Sequence, residues 1–274
     1  MHRYSYAPSG LSEVVQWDGD LLELDRARPM EMVVRPRGLV MLTDHGTPGA
    51  EKFRSLAIRL KNFQKRQGLK KLLVTSSVKG EGKSVISANL AVALAQTQRT
   101  LVIDCDLHQA GLRDVFGIHG QAGLGEWWKQ QRSAKDFLRR MENHSLWYLS
   151  AGRSSEEPLE ILQSQRFSEM LSQVAGWFDW IILDSPPLLP VADSSLLAAQ
   201  TDGTLLVIRQ ANTPKPLLKE ALKTENLKLL GIVANEWESS AERYYSQYYK
   251  GYVSHSRVET EDDRHSSDAT ARAV

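Results

Sequence analysis

The sequence is nearly free of cysteine, with Cys105 the only one in 274 residues. A single thiol cannot form an internal disulfide, which excludes a disulfide-stapled fold and favours a reducing compartment, so we expect a cytoplasmic protein. The chain also lacks an uncharged apolar run of the roughly 18 to 20 residues that a membrane-spanning helix needs. Its first ten residues lack the apolar core of a signal peptide. If the protein works at a membrane, we expect a partner to hold it there.

The sequence also lacks a dominant charge. Its 34 basic and 33 acidic side chains give a formal net charge of +1. No global field therefore attracts the whole chain to nucleic acid or to an anionic membrane, and we expect no nucleic-acid partner. Hydrophobic residues make up 42% and charged residues 24% of the chain, close to globular averages, so we expect most of it to fold.

Short apolar runs alternate with helical patterns after residue 68. The predicted strands are residues 72–76, 100–104, 146–150, 180–184, 204–209 and 229–235, and the predicted helices are residues 84–97, 158–175, 193–200 and 214–225. Strands that alternate with helices favour a mostly parallel sheet that is covered on both faces. The sequence therefore predicts a single doubly wound α/β domain.

The flanks of this pattern differ from it. Residues 1–50 show no clear periodicity and are predicted to form an irregular arm, residues 51–240 the folded domain, and residues 241–274 a flexible tail. A helix is predicted from Glu51, with Phe53, Leu56, Leu60 and Phe63 on one face. Eight Lys or Arg residues and no acid lie between residues 52 and 71. This basic face is either solvated or a contact for a subunit or an anionic surface.

A glycine-rich segment follows the first predicted strand and leads directly into a helix. It reads Ser77-Val78-Lys79-Gly80-Glu81-Gly82-Lys83-Ser84. Its glycines allow successive N–H groups to surround an anion, and the helix adds its positive dipole end. In such a loop Lys83 reaches the β and γ phosphates, and the Ser84 hydroxyl ligates Mg²⁺. Although Ser77 replaces the usual first glycine, the segment predicts a nucleotide site.

Carboxylates follow two other predicted strands. Asp104 and Asp106 end one apolar run, and Asp184 ends another. The carboxyl ends of parallel strands are where such folds bind ligands, so we expect these acids near the metal and the attacking group. Asp184 in particular suits a carboxylate that holds Mg²⁺ through water. Cys105 is expected to be a small buried residue.

Tyrosines are concentrated near the end of the chain. Five of the eight lie within nine residues: Tyr244, Tyr245, Tyr248, Tyr249 and Tyr252. They follow no apolar period and have no evident core to pack against. The cluster is either an aromatic interaction patch or a set of phosphate acceptors.

These motifs together resemble the bacterial protein-tyrosine kinases of capsule and exopolysaccharide synthesis, the BY-kinases, from about Glu51 to Tyr252. The resemblance implies a P-loop fold like that of MinD and ParA, and an ATP- and Mg²⁺-dependent kinase that phosphorylates its own tail. Val78 to Val85 would bind the nucleotide, namely Val78, Lys79, Gly80, Glu81, Gly82, Lys83, Ser84 and Val85. Ser84, Asp104 and Asp184 would serve Mg²⁺. Lys83 would act in catalysis, and Asp106 or Asp104 would orient or deprotonate the tyrosine hydroxyl.

The resemblance also implies partners. They are a transmembrane polysaccharide chain-length regulator that activates the kinase at the inner membrane, a cognate tyrosine phosphatase, and further copies of the chain in a ring. The ring motif of the family has Glu, Arg and Arg three residues apart, and here Glu51 and Arg54 fit but Ala57 takes the third place. His108 stands where the family usually has an arginine, which is not equivalent in bidentate recognition.

Two other classes stay open. A ParA- or MinD-type switch ATPase shares the fold, but it carries a lysine five residues before the loop lysine, where this chain has Val78, and Lys79 is one place late. The alternative of another class is a pseudokinase that binds nucleotide and acts as a scaffold in polysaccharide export, which the changes at His108 and Ala57 would fit.

Overall fold

The structure is a computed structural model that describes residues 24–30, 38–153, 158–190, 192–210 and 212–236. The predicted tail, with its five clustered tyrosines, lies outside the described residues, as do residues 1–23. Within the described ranges, every helix falls short of the length and apolar character needed to cross a bilayer.

The described chain alternates strands and helices. The strands are β1 Arg28–Pro29, β2 Lys71–Ser76, β3 Thr100–Asp104, β4 Arg139–Arg140, β5 Leu146–Leu149, β6 Trp180–Asp184, β7 Gly203–Arg209 and β8 Leu229–Asn235. The helices are α1 Val40–Thr43, α2 Pro48–Gln67, α3 Lys83–Ala95, α4 Gly111–Phe116, α5 Leu124–Gln130, α6 Pro158–Leu162, α7 Gln165–Val174, α8 Asp193–Ala199 and α9 Lys215–Ala221, with a 3₁₀ turn at Ala134–Phe137.

The strands form one sheet in the order β1-β4-β5-β3-β6-β2-β7-β8. Neighbouring strands are parallel except β4 and β5, which pair antiparallel. Strands β3 and β6 are buried along their whole length, which is why they read as continuous apolar runs. Separate apolar cores fill the two faces of the sheet. The predicted doubly wound α/β fold is confirmed.

Helix α2 has clear start and stop signals. The Thr47 hydroxyl accepts a hydrogen bond from the Ala50 amide at 3.3 Å, Pro48 occupies the first turn, and Gly68 ends the helix in the left-handed conformation with φ of 69°. The apolar face of α2 packs on the core beside α3. The apolar period predicted a start at Glu51, but the cap at Thr47 makes the helix begin three residues earlier, at Pro48.

Part of the segment predicted to be irregular is ordered by a single asparagine. Residues 40–43 and 48–50 are helical, and Met41 is fully buried. Asn89 of α3 accepts a hydrogen bond from the Met41 amide at 3.1 Å and donates one to the Gly38 carbonyl at 2.7 Å. Such tertiary hydrogen bonds leave no period in the sequence. The division into arm, domain and tail stays a prediction.

The single helix predicted over residues 158–175 is wrong, because the chain breaks into α6 and α7. Ser164 caps α7: its hydroxyl accepts from the Phe167 amide at 3.1 Å and donates to the Ile161 carbonyl at 2.7 Å. A serine that bonds both helix ends competes with continuous helical hydrogen bonding. The break lets Ile161 and Phe167 both face the core.

We predict that Ser164→Ala lowers the free energy of unfolding by about 1 kcal/mol, since the Phe167 amide loses its cap. Ser172→Ala is the matched control, because the Ser172 hydroxyl is exposed and bonds only within its own helix. Urea denaturation of both variants measures the difference. Equal losses at the two positions would contradict the capping role.

Candidate active site

The glycine-rich loop lies at the carboxyl end of β2, near the middle of the sheet, and continues into α3. Gly80 and Gly82 have φ of 88° and 89°, conformations that other residues adopt only with strain. Gly82 also needs its small size, because a Cβ there would lie 2.1 Å from Nδ2 of Asn235. The backbone conformation and the close approach of Asn235 therefore both favour glycine at position 82.

The loop lysine reaches the acids predicted with it. Nζ of Lys83 lies 2.9 Å from Oδ2 of Asp106, and both side chains are largely buried. Burial alone would lower the pKa of Lys83, but the charges of Asp184, Asp106 and Asp104 outweigh it and raise that pKa. The amine is therefore a fixed positive charge at the carboxyl edge of the sheet.

Asp104 and Asp184 lie side by side, since they pair in register at the ends of β3 and β6. Oδ1 of Asp104 accepts from the Asp106 amide at 3.3 Å, and Oδ1 of Asp184 accepts from the Ser87 hydroxyl at 2.8 Å. Burial and mutual repulsion raise the pKa of Asp104 well above its ordinary value. Burial raises the pKa of Asp184 from 3.8 to about 6. Both carboxyls are poorly stabilised as anions by the protein alone.

The pair presents free oxygen atoms. Oδ2 of Asp104 and Oδ2 of Asp184 are buried and have no hydrogen-bond donor among the described residues. The Ser84 hydroxyl lies close enough to Asp184 to favour its charged form. Gly111 leaves room for that hydroxyl, because a Cβ there would lie 2.4 Å from Oγ of Ser84. Unpaired carboxylate oxygens beside a hydroxyl fit a hard divalent cation such as Mg²⁺.

Two hydrogen bonds hold the segment that follows β3 in place. Oδ1 of Asp106 accepts from the Gln109 amide at 2.9 Å, and Nε2 of His108 lies 2.9 Å from Oδ2 of Asp193. Asp193 is buried at the start of α8, whereas His108 is half exposed. The histidine found in place of the usual arginine therefore links this segment to a neighbouring helix.

A cavity of about 720 Å³ lies beside the first turns of α3. Its lining includes Val85 after the loop, Phe53 and Leu56 of α2, and Asn235 at the end of β8. Its volume and mixed apolar and polar lining are typical of small-ligand sites. The cavity reaches α3 at Val85, two residues after Lys83.

The structure brings together the loop residues 78–85 and Asp104, Asp106 and Asp184, all of which the sequence singled out. The five tyrosines cannot be placed relative to them, since they lie outside the described residues. Sequence reasoning missed Ser87, Gly111, Asn235 and also Thr213, whose hydroxyl donates to Oε1 of Glu81 in the loop. Ser87 carries a readable signal, because it lies four residues after Lys83 and so on the same helical face. The other three come from distant segments, and no spacing connects them to the loop.

Comparisons with known proteins match the chain to a nucleotide-binding family and to tyrosine-protein kinases. Residues 72–256, well over half of the chain, match the family described as the CobQ/CobB/MinD/ParA nucleotide binding domain. The tyrosine-protein kinase YwqD of Bacillus subtilis (strain 168) is 31% identical over 216 residues, which cover 77% of this chain and 91% of YwqD. The crystal structure of the VpsO kinase domain has a TM-score of 0.63 and 33% identity, covering 69% of this chain and 97% of that one.

Relatives differ in how much of their length the chain represents. The succinoglycan biosynthesis transport protein ExoP of Rhizobium meliloti (strain 1021) is 29% identical over 227 residues, which cover 77% of this chain but 29% of ExoP. The chain thus spans nearly all of YwqD and under a third of ExoP. By its nucleotide-binding sequence, its sheet and these relatives, the chain belongs to the CobQ/CobB/MinD/ParA family and, within it, to the bacterial protein-tyrosine kinases.

Proposed function

We propose that this kinase uses ATP and Mg²⁺ to phosphorylate the tyrosine cluster of its own tail. The observation that carries the proposal is the Lys83 amine, 2.9 Å from Asp106 and beside two carboxylates with unpaired oxygens. Phosphoryl transfer requires mainly positioned donors, a metal that bridges phosphate oxygens, and a carboxylate near the incoming hydroxyl. Each of these requirements has a matching group at the carboxyl edge of the sheet.

The loop amides and Lys83 would hold the phosphates, and Ser84, Asp104 and Asp184 would hold Mg²⁺. When bound, Mg²⁺ neutralises charge on the phosphate oxygens. The raised pKa values of Asp104 and Asp184 support this assignment, because the charge of Lys83 offsets their burial only in part and a cation would add to it. A bound cation would favour the ionised form of both carboxyls.

Asp106 is our choice for the group that orients and deprotonates the acceptor phenol. It lies two residues past the strand end, whereas Asp104 sits in register with Asp184 and suits the metal. Without nucleotide, Lys83 occupies Oδ2 of Asp106. When Lys83 turns to the phosphates, that oxygen becomes free to accept the phenol proton. The ion pair would thus keep the base unavailable until nucleotide binds.

The cellular setting follows from the relatives. ExoP is named as a succinoglycan biosynthesis transport protein, which supports a role in exopolysaccharide synthesis and export. We propose a cytoplasmic kinase at the inner membrane, activated by a transmembrane chain-length regulator and reversed by a tyrosine phosphatase. Copies of the chain would phosphorylate one another's tails, and the added charge, roughly −1.5 to −2 per phosphate, would weaken their association. Ala57, at the third position of the ring motif, is buried within the chain, so it would make no direct contact between copies in such an assembly.

Replacing the loop lysine separates the candidate functions. We predict that Lys83→Met abolishes phosphotyrosine formation when the purified protein is incubated with Mg²⁺ and ATP, because the phosphates lose their cation. Lys65→Met, at an exposed position of α2, is the matched control and should retain the signal. Phosphotyrosine immunoblots and phosphate release are measured together. Hydrolysis without phosphotyrosine in the wild type would instead support a switch ATPase, and nucleotide binding without either would support a pseudokinase scaffold.

Substituting tyrosines with phenylalanine tests which tyrosines accept the phosphate. We predict that changing all five clustered tyrosines to Phe removes most of the phosphotyrosine signal while the affinity for ATP stays unchanged. The remaining tyrosines are Tyr4, Tyr6 and the fully buried Tyr148. Changing Tyr4 and Tyr6 together to Phe is the control that should keep the signal. If the signal survives in the fivefold variant, the acceptors lie elsewhere.

The buried acids predict a pH-dependent cost of folding. The pKa of Asp184 is raised from 3.8 to about 6 in the fold, so the unfolded chain ionises at lower pH than the folded one. The fold therefore loses stability as the pH rises from about 4 to 6, and the loss is complete above pH 6. Asp184→Asn should therefore raise the free energy of unfolding by about 2 kcal/mol at pH 8 in EDTA, with the gain vanishing toward pH 4.

Urea denaturation between pH 4 and pH 8 measures this difference. Asp114→Asn, at an exposed residue, is the control and should show no such trend. Added Mg²⁺ and ADP should stabilise the wild type and not Asp184→Asn. A variant less stable than the wild type at pH 8 in EDTA would contradict the assignment of a buried, uncompensated carboxylate.

A further inference from the structure

Glu81 is a buried carboxylate within the phosphate-binding loop itself, with 3% of its surface exposed. Its Oε2 accepts a hydrogen bond from the Val78 amide at 3.1 Å, and its Oε1 accepts one from the Thr213 hydroxyl. No Lys, Arg or His of the described chain forms an ion pair with it. An anion in an anion-binding loop is therefore stabilised only by neutral donors, which must be placed accurately.

Thr213 connects this carboxylate to the end of strand β7. Its Oγ1 accepts a hydrogen bond from the Arg209 amide at 2.9 Å and contacts both Glu81 and the Arg209 carbonyl, the latter at 3.1 Å. A hydroxyl has one proton to donate, and the ionised carboxylate is the stronger acceptor. The hydroxyl therefore accepts from the backbone of β7 and donates to Glu81.

Asn235 holds the same loop through its backbone. Its Nδ2 donates to the Glu81 carbonyl at 3.0 Å, and its Oδ1 accepts from the Glu236 amide at 3.0 Å. Only a glycine at position 82 lets this amide approach so closely. The last residue of β8 is thus hydrogen-bonded to the middle of the loop.

We infer that Thr213 and Asn235 are positioning residues of the nucleotide site. They act through Glu81, and they fix the loop from the β7 and β8 side of the sheet, opposite Asp104 and Asp106. A loop with two left-handed glycines has few constraints of its own, so its amides are ordered for phosphates only at an entropic cost. The two hydrogen-bonded side chains order the loop before nucleotide arrives, which strengthens binding. This inference rests on the proposed use of ATP.

The experiment compares Thr213→Val with Thr213→Ser. Valine keeps the shape and loses the hydroxyl, so we expect the Kd for Mg-ADP and the KM for ATP to rise about tenfold, with kcat within about twofold. Serine restores the hydroxyl and should return both values to near those of the wild type. Asn235→Ala should raise the same constants. Asn212→Ala is the control in the same loop, because its exposed side chain bonds to no described residue.

The outcomes separate positioning from mere stability. Thermal midpoints of Thr213→Val and Thr213→Ser should agree within a few degrees while their nucleotide affinities differ. If valine and serine give equal affinity, or if kcat alone falls, the inference is overturned. If the wild type forms no phosphotyrosine but the affinity differences for Mg-ADP persist, the proposed kinase reaction fails while the positioning role stands.

Discussion

The candidate site carries more negative than positive charge, and the rest of its arrangement depends on this imbalance. Three carboxylates, from Asp104, Asp106 and Asp184, share the carboxyl edge of the sheet with the ammonium of Lys83. The folded chain satisfies Asp106 with that ammonium and leaves an oxygen of each of the other two unpaired. Burial makes their ionisation costly, and a bound cation would offset that cost. This unbalanced charge is the main support for the proposed cation site.

Strand order explains how such a site is assembled. The order β3-β6-β2-β7-β8 puts the loop after β2 between two halves of the sheet. From one side, β3 and β6 supply the acids. From the other, the ends of β7 and β8 supply Thr213 and Asn235, which hold the loop through Glu81. Because these groups lie at the carboxyl ends of strands or within a few residues of them, the sheet determines how far apart they are.

The sequence predicted the parts that local rules govern. Apolar runs located the six longer strands, and the loop and the three aspartates came from short motifs at strand ends. It could not reveal Asn89, Thr213 or Asn235, because each acts across at least 48 residues of chain on a partner with no shared period. It also missed the two-residue strands β1 and β4, which are too short to show alternation. The break at Ser164 was missed because a serine suits a helix surface as well as a cap.

His108 is the clearest difference between this chain and the motif of the kinases it resembles, so its effect on the site needs an account. An arginine there would offer a bidentate fork, whereas His108 makes one contact of 2.9 Å with the buried Asp193. That single contact still joins the segment after β3 to α8. Asp106, two residues earlier, keeps both of its own partners, Lys83 and the Gln109 amide. With histidine at this position, the Lys83–Asp106 ion pair and the adjacent carboxylates of Asp104 and Asp184 are all in place.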